Sequence, residues 1–209
     1  MTDLPADRAD VLVIGGGPSG SAAAYWLARA GHDVLVVEKK RFPREKTCGD
    51  GLTPRAVTAL DEMGLAEGLE GYHRYDGLRA VAHGITLEMP WPDHPRFPSH
   101  GYVVRRRELD RMVADHAVAA GARVRHETEA VEPVFERGLM TGARMNDKRD
   151  GGHFEVEARY VVVADGANSR FGRALGASRN RSYPQGLAIR GYYRSDRHDD
   201  PWIESALDL

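Results

Sequence analysis

The sequence predicts an α/β fold: a sheet with a parallel core crossed by helices, joined to part of a second, β-rich domain. Three observations carry this. Residues 10–38 run as a short apolar strand, an Ala-rich helix and a second apolar strand. The turn between the first strand and the helix reads Gly15-Gly16-Gly17-Pro18-Ser19-Gly20. Far downstream, another apolar run, Tyr160 to Ala164, leads into an Asp-Gly pair. Short continuous apolar strands separated by a helix indicate parallel pairing with both sheet faces covered.

Taken in order, Asp10 to Gly15 (DVLVIG) is the first strand and Pro18 to Ala30 the first helix, with Gly31 at its stop. Asp33 to Glu38 (DVLVVE) is the second strand. Lys39 to Thr53 is charged and Gly-rich, hence a loop, and Pro54 to Met63 has helical spacing with proline in the first turn. Leu78 to Met89 alternates weakly and reads as one strand, and Trp91 to His100 as an irregular connection. Arg107 to Ala120 is a helix closed by Gly121. Arg123 to Phe135 and Leu139 to Met145 read as strands, and Asn146 to Gly152 as a turn. His153 to Ala164 reads as two strand segments, the second apolar enough to be central. Leu187 to Tyr193 reads as the start of a strand, after which Asp196 to Leu209 shows no closing element.

The Gly-rich turn carries the first chemistry. Gly15, Gly17 and Gly20 fit G-x-G-x-x-G. The first glycine permits the tight turn, the second lets backbone approach a pyrophosphate, and the third lets the helix lie close to the sheet. Free N–H groups at the helix start then face the phosphate charge. Glu38, ending the second strand, stands where a carboxylate can accept ribose hydroxyls. The turn itself does not separate FAD from NAD.

Composition narrows the classes. The chain has 209 residues, 42% hydrophobic and 29% charged, with a net charge of -2. That suits a globular protein and gives no electrostatic basis for nucleic-acid binding. One cysteine, Cys48, allows neither an intrachain disulfide nor a cysteine-based zinc cluster, and the histidines lack metal-ligand spacing, so no metal site is expected. The polar, acidic stretch from Met1 to Asp10 does not read as a signal peptide, so none is expected, and no apolar run reaches membrane-spanning length. A cytoplasmic protein is expected, and peripheral contact at the inner face of a membrane is compatible with that.

Three further motifs follow the turn. Ala164-Asp165-Gly166-Ala167-Asn168-Ser169 resembles the Asp-Gly motif of FAD-dependent hydroxylases and reductases. Arg107-Glu108-Leu109-Asp110 resembles the Arg-x-x-Leu/Phe-Asp element of the same enzymes. The stretch Phe42 to Val57, FPREKTCGDGLTPRAV, resembles the Cys-Gly-x-Gly loop of the geranylgeranyl reductase family, flavoproteins that saturate isoprenoid double bonds. Within that family the nearest likeness is to actinobacterial members acting on the menaquinone tail. Phe97-Pro98-Ser99-His100-Gly101, Arg190-Gly191-Tyr192 and Asp200-Pro201-Trp202 share it.

The resemblance implies an FAD-binding Rossmann-like domain of the glutathione-reductase type over residues 1–75 and 101–180, with partial substrate-domain segments at 76–100 and 181–209. It places FAD against Gly15, Gly17, Pro18, Ser19, Gly20, Glu38, Lys39, Cys48, Gly49, Gly51, Arg107, Asp165 and Gly166. It makes Cys48 the candidate for a catalytic, substrate-side role, beside the plainer reading of a small packed residue. His100 and Trp91 fall on the expected substrate side, and their ordinary reading is packing. Arg173 stands one place beyond the arginine position that often follows the Asp-Gly motif, where this chain has Gly172. The implied partner is an isoprenoid lipid, menaquinone or a prenyl diphosphate, with an unassigned electron donor. The family's second half, including its Gly-Asp motif, has no counterpart here, so a truncated chain is expected. Two alternatives share the turn: an FAD-dependent aromatic monooxygenase, against which the Cys48–Gly51 loop speaks, and an inactive FAD-binding fragment.

Overall fold

The computed structural model describes residues 7–177, 182–184 and 186–208. The polar start read from Met1 therefore lies outside the described residues as far as Ala6, as do residues 181, 185 and 209 of the last segment. In chain order the elements are β1 (Asp7–Ile14), α1 (Pro18–Arg29), β2 (Val34–Glu38), β3 (Gly51–Leu52), α2 (Pro54–Glu62), β4 (His73–Tyr75), β5 (Gly77–Ala82) and β6 (Ile85–Pro90). There follow β7 (Gly101–Val103), α3 (Arg106–Ala119), β8 (Arg123–His126), β9 (Thr128–Glu136), β10 (Leu139–Asp147), β11 (His153–Val163), α4 (Arg170–Ala174) and β12 (Trp202–Ala206).

The chain divides into two compact units, Met1–Glu45 with Arg107–Gly186, and Lys46–Arg106 with Leu187–Leu209. In the first, six strands form one sheet in the order β8-β2-β1-β11-β10-β9. β8, β2, β1 and β11 run parallel, and β10 and β9 add antiparallel. The expected parallel strand–helix–strand unit is thus present, with Val11 paired to Val34 and Ile14 to Val37. Every residue of β2 is buried. Each of its four apolar side chains is worth roughly 1.5–3 kcal/mol of burial. Leu12, Ile14, Leu35 and Val37 form one core with Met145, Val156 and Phe171.

The second unit holds two small sheets, β12-β5-β6 and β3-β7-β4. The sheet β3-β7-β4 lies wholly within this unit, with Leu52 paired to Tyr102 and Tyr75 to Gly101. The Tyr75 hydroxyl donates to the Leu52 carbonyl at 3.0 Å and closes that sheet from within.

Several sequence expectations are corrected. Leu78 to Met89 is not one strand but a hairpin, β5 and β6, with Leu78 opposite Met89. Arg123 to Phe135 breaks at Glu127, where φ is +55°, into β8 and β9. His153 to Val163 is one strand rather than two, because it pairs with β1 on one edge and β10 on the other. Leu187 to Tyr193 is not a strand. Leu187, Ile189 and Tyr193 are each more than nine-tenths exposed and have no sheet to join. The terminal strand is instead β12, parallel to β5.

Candidate functional site

The first unit brings the carboxyl ends of β1, β2 and β11 together. The Gly15 N–H donates to the Val37 carbonyl at 2.8 Å, and the Ala164 N–H to the Ile14 carbonyl at 2.7 Å. Gly15 itself has φ +99°, and a Cβ there would stand 2.5 Å from the Ala164 carbonyl oxygen. Gly20 is tighter still: its Cβ would lie 1.9 Å from the Gly15 carbonyl oxygen. These two glycines let α1 start directly on the strand end, as the motif spacing implies. Gly17 is the N-cap of α1, no side chain caps the helix, and Pro18 opens it. The first-turn amides and the positive end of the helix dipole are left for an anion. Ser19 is exposed beside them.

Glu38 ends β2 with only 5% of its surface exposed. Its Oε2 accepts from the Gly16 N–H at 3.0 Å, and Oε1 from the Lys40 N–H at 3.0 Å. The carboxylate therefore ties the Gly-rich turn to the second strand. A carboxylate has about four lone-pair positions, so acceptor capacity remains for ribose hydroxyls. Asp165, just past β11, completes the third strand end. Its Oδ1 is buried without a hydrogen-bond partner. Asp165, Gly15, Glu38 and Lys39 line one cavity together with Thr128, Glu129 and Arg170. The Lys148 ammonium, 2.6 Å from Glu129, holds that carboxyl below its usual range, against the opposing effect of burial. Gly166 follows Asp165 with φ +91° and turns the chain toward α4. A buried acceptor left open, a second carboxylate beside it and a bare helix start suit a ligand carrying sugar hydroxyls and a pyrophosphate.

Two features of the site differ from the sequence reading. Arg107 is half exposed, its guanidinium 3.8 Å from Glu45, and it does not line the cavity. Counted strictly, Arg-x-x-Leu-Asp places the arginine at Arg106, which is 6% exposed. Three consecutive arginines hide that distinction in the sequence, and burial reveals it. The second feature is Arg44, which sequence reasoning left in a loop. It lies 3.1 Å from Asp110 and 3.5 Å from Glu38, over the Phe42 ring at 4.9 Å. The aspartate of the Arg-x-x-Leu-Asp element thus reaches Glu38 through Arg44. No periodicity marks such a residue; the only signal was a lone arginine between Pro43 and Glu45.

In the second unit Cys48 is an exposed free thiol, and Gly49 and Gly51 are exposed beside it. Asp50 between them is largely buried. Trp91 lies 6.3 Å from the Tyr75 ring, and His100 meets Tyr102 edge-on at 5.3 Å. Burial pushes the His100 imidazole below its ordinary pKa.

The fold and the cavity define a dinucleotide-binding domain of the flavoprotein kind. The chain belongs to the FAD binding domain family, matched over residues 8–188, and FAD is its cofactor. Over 202 residues it is 46% identical to a menaquinone reductase of Mycolicibacterium smegmatis, a match covering 97% of this chain and 48% of that protein. Over 170 residues it is 38% identical to digeranylgeranylglycerophospholipid reductase 1 of Methanopyrus kandleri, covering 80% of this chain and 42% of that protein. The solved structure of a geranylgeranyl bacteriochlorophyll reductase-like protein from Thermoplasma acidophilum matches with a TM-score of 0.71 and 29% identity, over 83% of this chain and 43% of that one. The chain spans about half the length of the curated relatives it matches.

Proposed function

We propose that this chain is the FAD-binding part of a reductase that saturates an isoprenoid double bond in the menaquinone tail. The observation that carries the reading is the 46% identity to a menaquinone reductase across 97% of the chain. When bound, reduced FAD supplies the hydride, while a proton goes to the less substituted alkene carbon. An isolated alkene is a poor hydride acceptor, so that proton is needed to develop positive charge at the carbon receiving hydride.

The chain's own residues bind and orient. The α1 start, with Gly17, Pro18 and Ser19, takes the pyrophosphate through backbone N–H groups. Glu38 and Lys39 take the adenosine ribose end, and the open Oδ1 of Asp165, with Gly166, accepts from a flavin-side hydroxyl. By strict motif spacing the resemblance gives the FAD-holding arginine as Arg106, where the sequence reading gives Arg107. Resemblance assigns Cys48, Gly49 and Gly51 to the flavin-ring end and Cys48 to the substrate side. No helix among the described residues is long and apolar enough to cross a membrane. For a lipid-dissolved tail the reading places the contact at the inner face of the membrane.

The test is to incubate the complete gene product with menaquinone and a reductant and read the tail by mass spectrometry. A gain of two hydrogens is expected. A gain of one oxygen would replace this reading with a monooxygenase.

A further inference from the structure

The Cys48–Gly51 loop presents a physical problem. Two of its four residues are glycines, whose backbone freedom makes an ordered loop entropically costly. Its one charged side chain, Asp50, is 13% exposed, and a carboxylate so far out of water needs donors. It has three. Oδ1 accepts the Arg106 backbone N–H at 2.9 Å and the Arg190 guanidinium at 3.1 Å. Oδ2 accepts the Tyr192 hydroxyl at 2.9 Å. The backbone joins in: the Val104 N–H donates to the Asp50 carbonyl at 2.9 Å. Arg190 then reaches past Asp50 and donates to the Cys48 carbonyl at 3.3 Å. Two guanidinium groups meet the Tyr192 ring, Arg190 at 4.9 Å and Arg105 at 5.2 Å from its centre.

One carboxylate therefore joins the start of α3, the glycine loop and a segment some 140 positions away in the sequence. That segment is the exposed, strandless stretch around Leu187 and Ile189, which has no ladder of its own to fix it. We propose that Asp50 is a positioning residue. Through Arg190 it sets the place of Cys48, and through the Arg106 amide it sets the start of α3. This deepens the reductase reading and rests on it for the consequence in turnover, while the positioning itself is readable without any activity.

The test has two arms. In this 209-residue chain, hydrogen exchange is followed at the Val104 and Arg106 amides. Asp50→Ala and Arg190→Met should each speed exchange at Val104 by about tenfold, the change in an opening equilibrium expected from losing one charge-assisted hydrogen bond. In the complete gene product, Asp50→Asn and Arg190→Met should keep their FAD content and lower kcat by about tenfold or more, with KM changed far less, because a misplaced loop costs geometry rather than binding. The double variant should be no worse than either single, and Arg190→Lys should restore part of the loss. Unchanged exchange in both variants, unchanged kcat, or losses that multiply in the double variant would each overturn the proposal. Faster exchange in a protein that never reduces an isoprenoid bond would leave Asp50 as the loop's anchor and sink the reductase reading instead.

Discussion

Arg44 holds its guanidinium 3.1 Å from Asp110, a carboxylate with no exposed surface, while Glu38 stands 3.5 Å away on the other side. All three side chains are at least nine-tenths buried. Such a group is a weak argument for net stability, because desolvation offsets much of the attraction. Removing only its cation is different. Arg44→Met should destabilise the first unit by up to about 3–5 kcal/mol, since two deeply buried carboxylates then lose the cation that both of them meet. Asp110→Asn, which keeps shape and removes one negative charge, should cost less. Denaturant melts of the two variants check the order, and an Asp110→Asn loss as large as that of Arg44→Met would overturn it.

Glu38 makes the next prediction. Its carboxylate holds the Gly16 amide at 3.0 Å and lines the cavity beside Asp165. Glu38→Ala should weaken FAD binding by about 1–3 kcal/mol, the scale of a hydrogen bond to a charged group. Glu38→Gln keeps an acceptor for Gly16 and should fall between the two. Quenching of flavin fluorescence on titration measures both. A protein that loses no FAD affinity in Glu38→Ala would remove the ribose end from this strand.

How far the sequence alone reaches depends on the range of the interaction. The turn from Gly15 to Glu38 was legible because strand, glycine spacing, helix and carboxylate fall within one short window. The Asp165-Gly166 turn was legible for the same reason. What it could not show were pairings set by distant segments. β12 exists because residues 202–206 find β5 about 125 positions earlier, and nothing in WIESA announces it. Leu187 to Tyr193 alternates as a strand does, yet no strand edge meets it, and it is anchored by Arg190 and Tyr192 on Asp50 instead. Arg44, Arg106 and Asp110 differ from other charged residues only in burial, which no local pattern encodes.

Acid should loosen the anchor of β12. Hydrogen bonds from Arg79, at 2.5 Å, and from Arg197, at 2.7 Å, hold the Asp200 carboxyl at about 2. A carboxyl whose folded pKa lies below its unfolded value of about 3.9 contributes fully above that value. The contribution is lost as pH falls through the folded pKa. The β5–β12 pairing should therefore hold to about pH 4 and loosen progressively toward pH 2. Asp200→Asn should lower stability near neutrality and flatten this limb of the curve. Melting temperature followed from pH 5 to pH 2 in both proteins gives the comparison, and parallel curves would exonerate Asp200.

The two faces of the sheet β12-β5-β6 lead to the last prediction. Arg79 sits opposite Glu88 and beside Glu204, so one face is laced with charge. The alternate residues face the other way. Leu78 pairs with Met89, Ala80 with Leu87 and Ala82 with Ile85, and the side chains of Leu78, Ile85, Leu87 and Met89 are 37%, 70%, 56% and 39% exposed. Contiguous apolar surface of this kind drives self-association when nothing covers it, and β6 is also an edge strand with open backbone groups. Replacing Ile85 and Leu87 together by threonine puts a β-branched strand former at both positions while making the face polar. Because both side chains are already largely in water, the melting free energy should move by no more than about 0.5 kcal/mol per substitution, the scale for surface changes. Light scattering and size-exclusion chromatography of the 209-residue chain should then show a clear rise in the monomeric fraction. If the double variant instead loses several kcal/mol of stability with its association unchanged, Ile85 and Leu87 are buried in solution, and the exposed face would have to be redrawn.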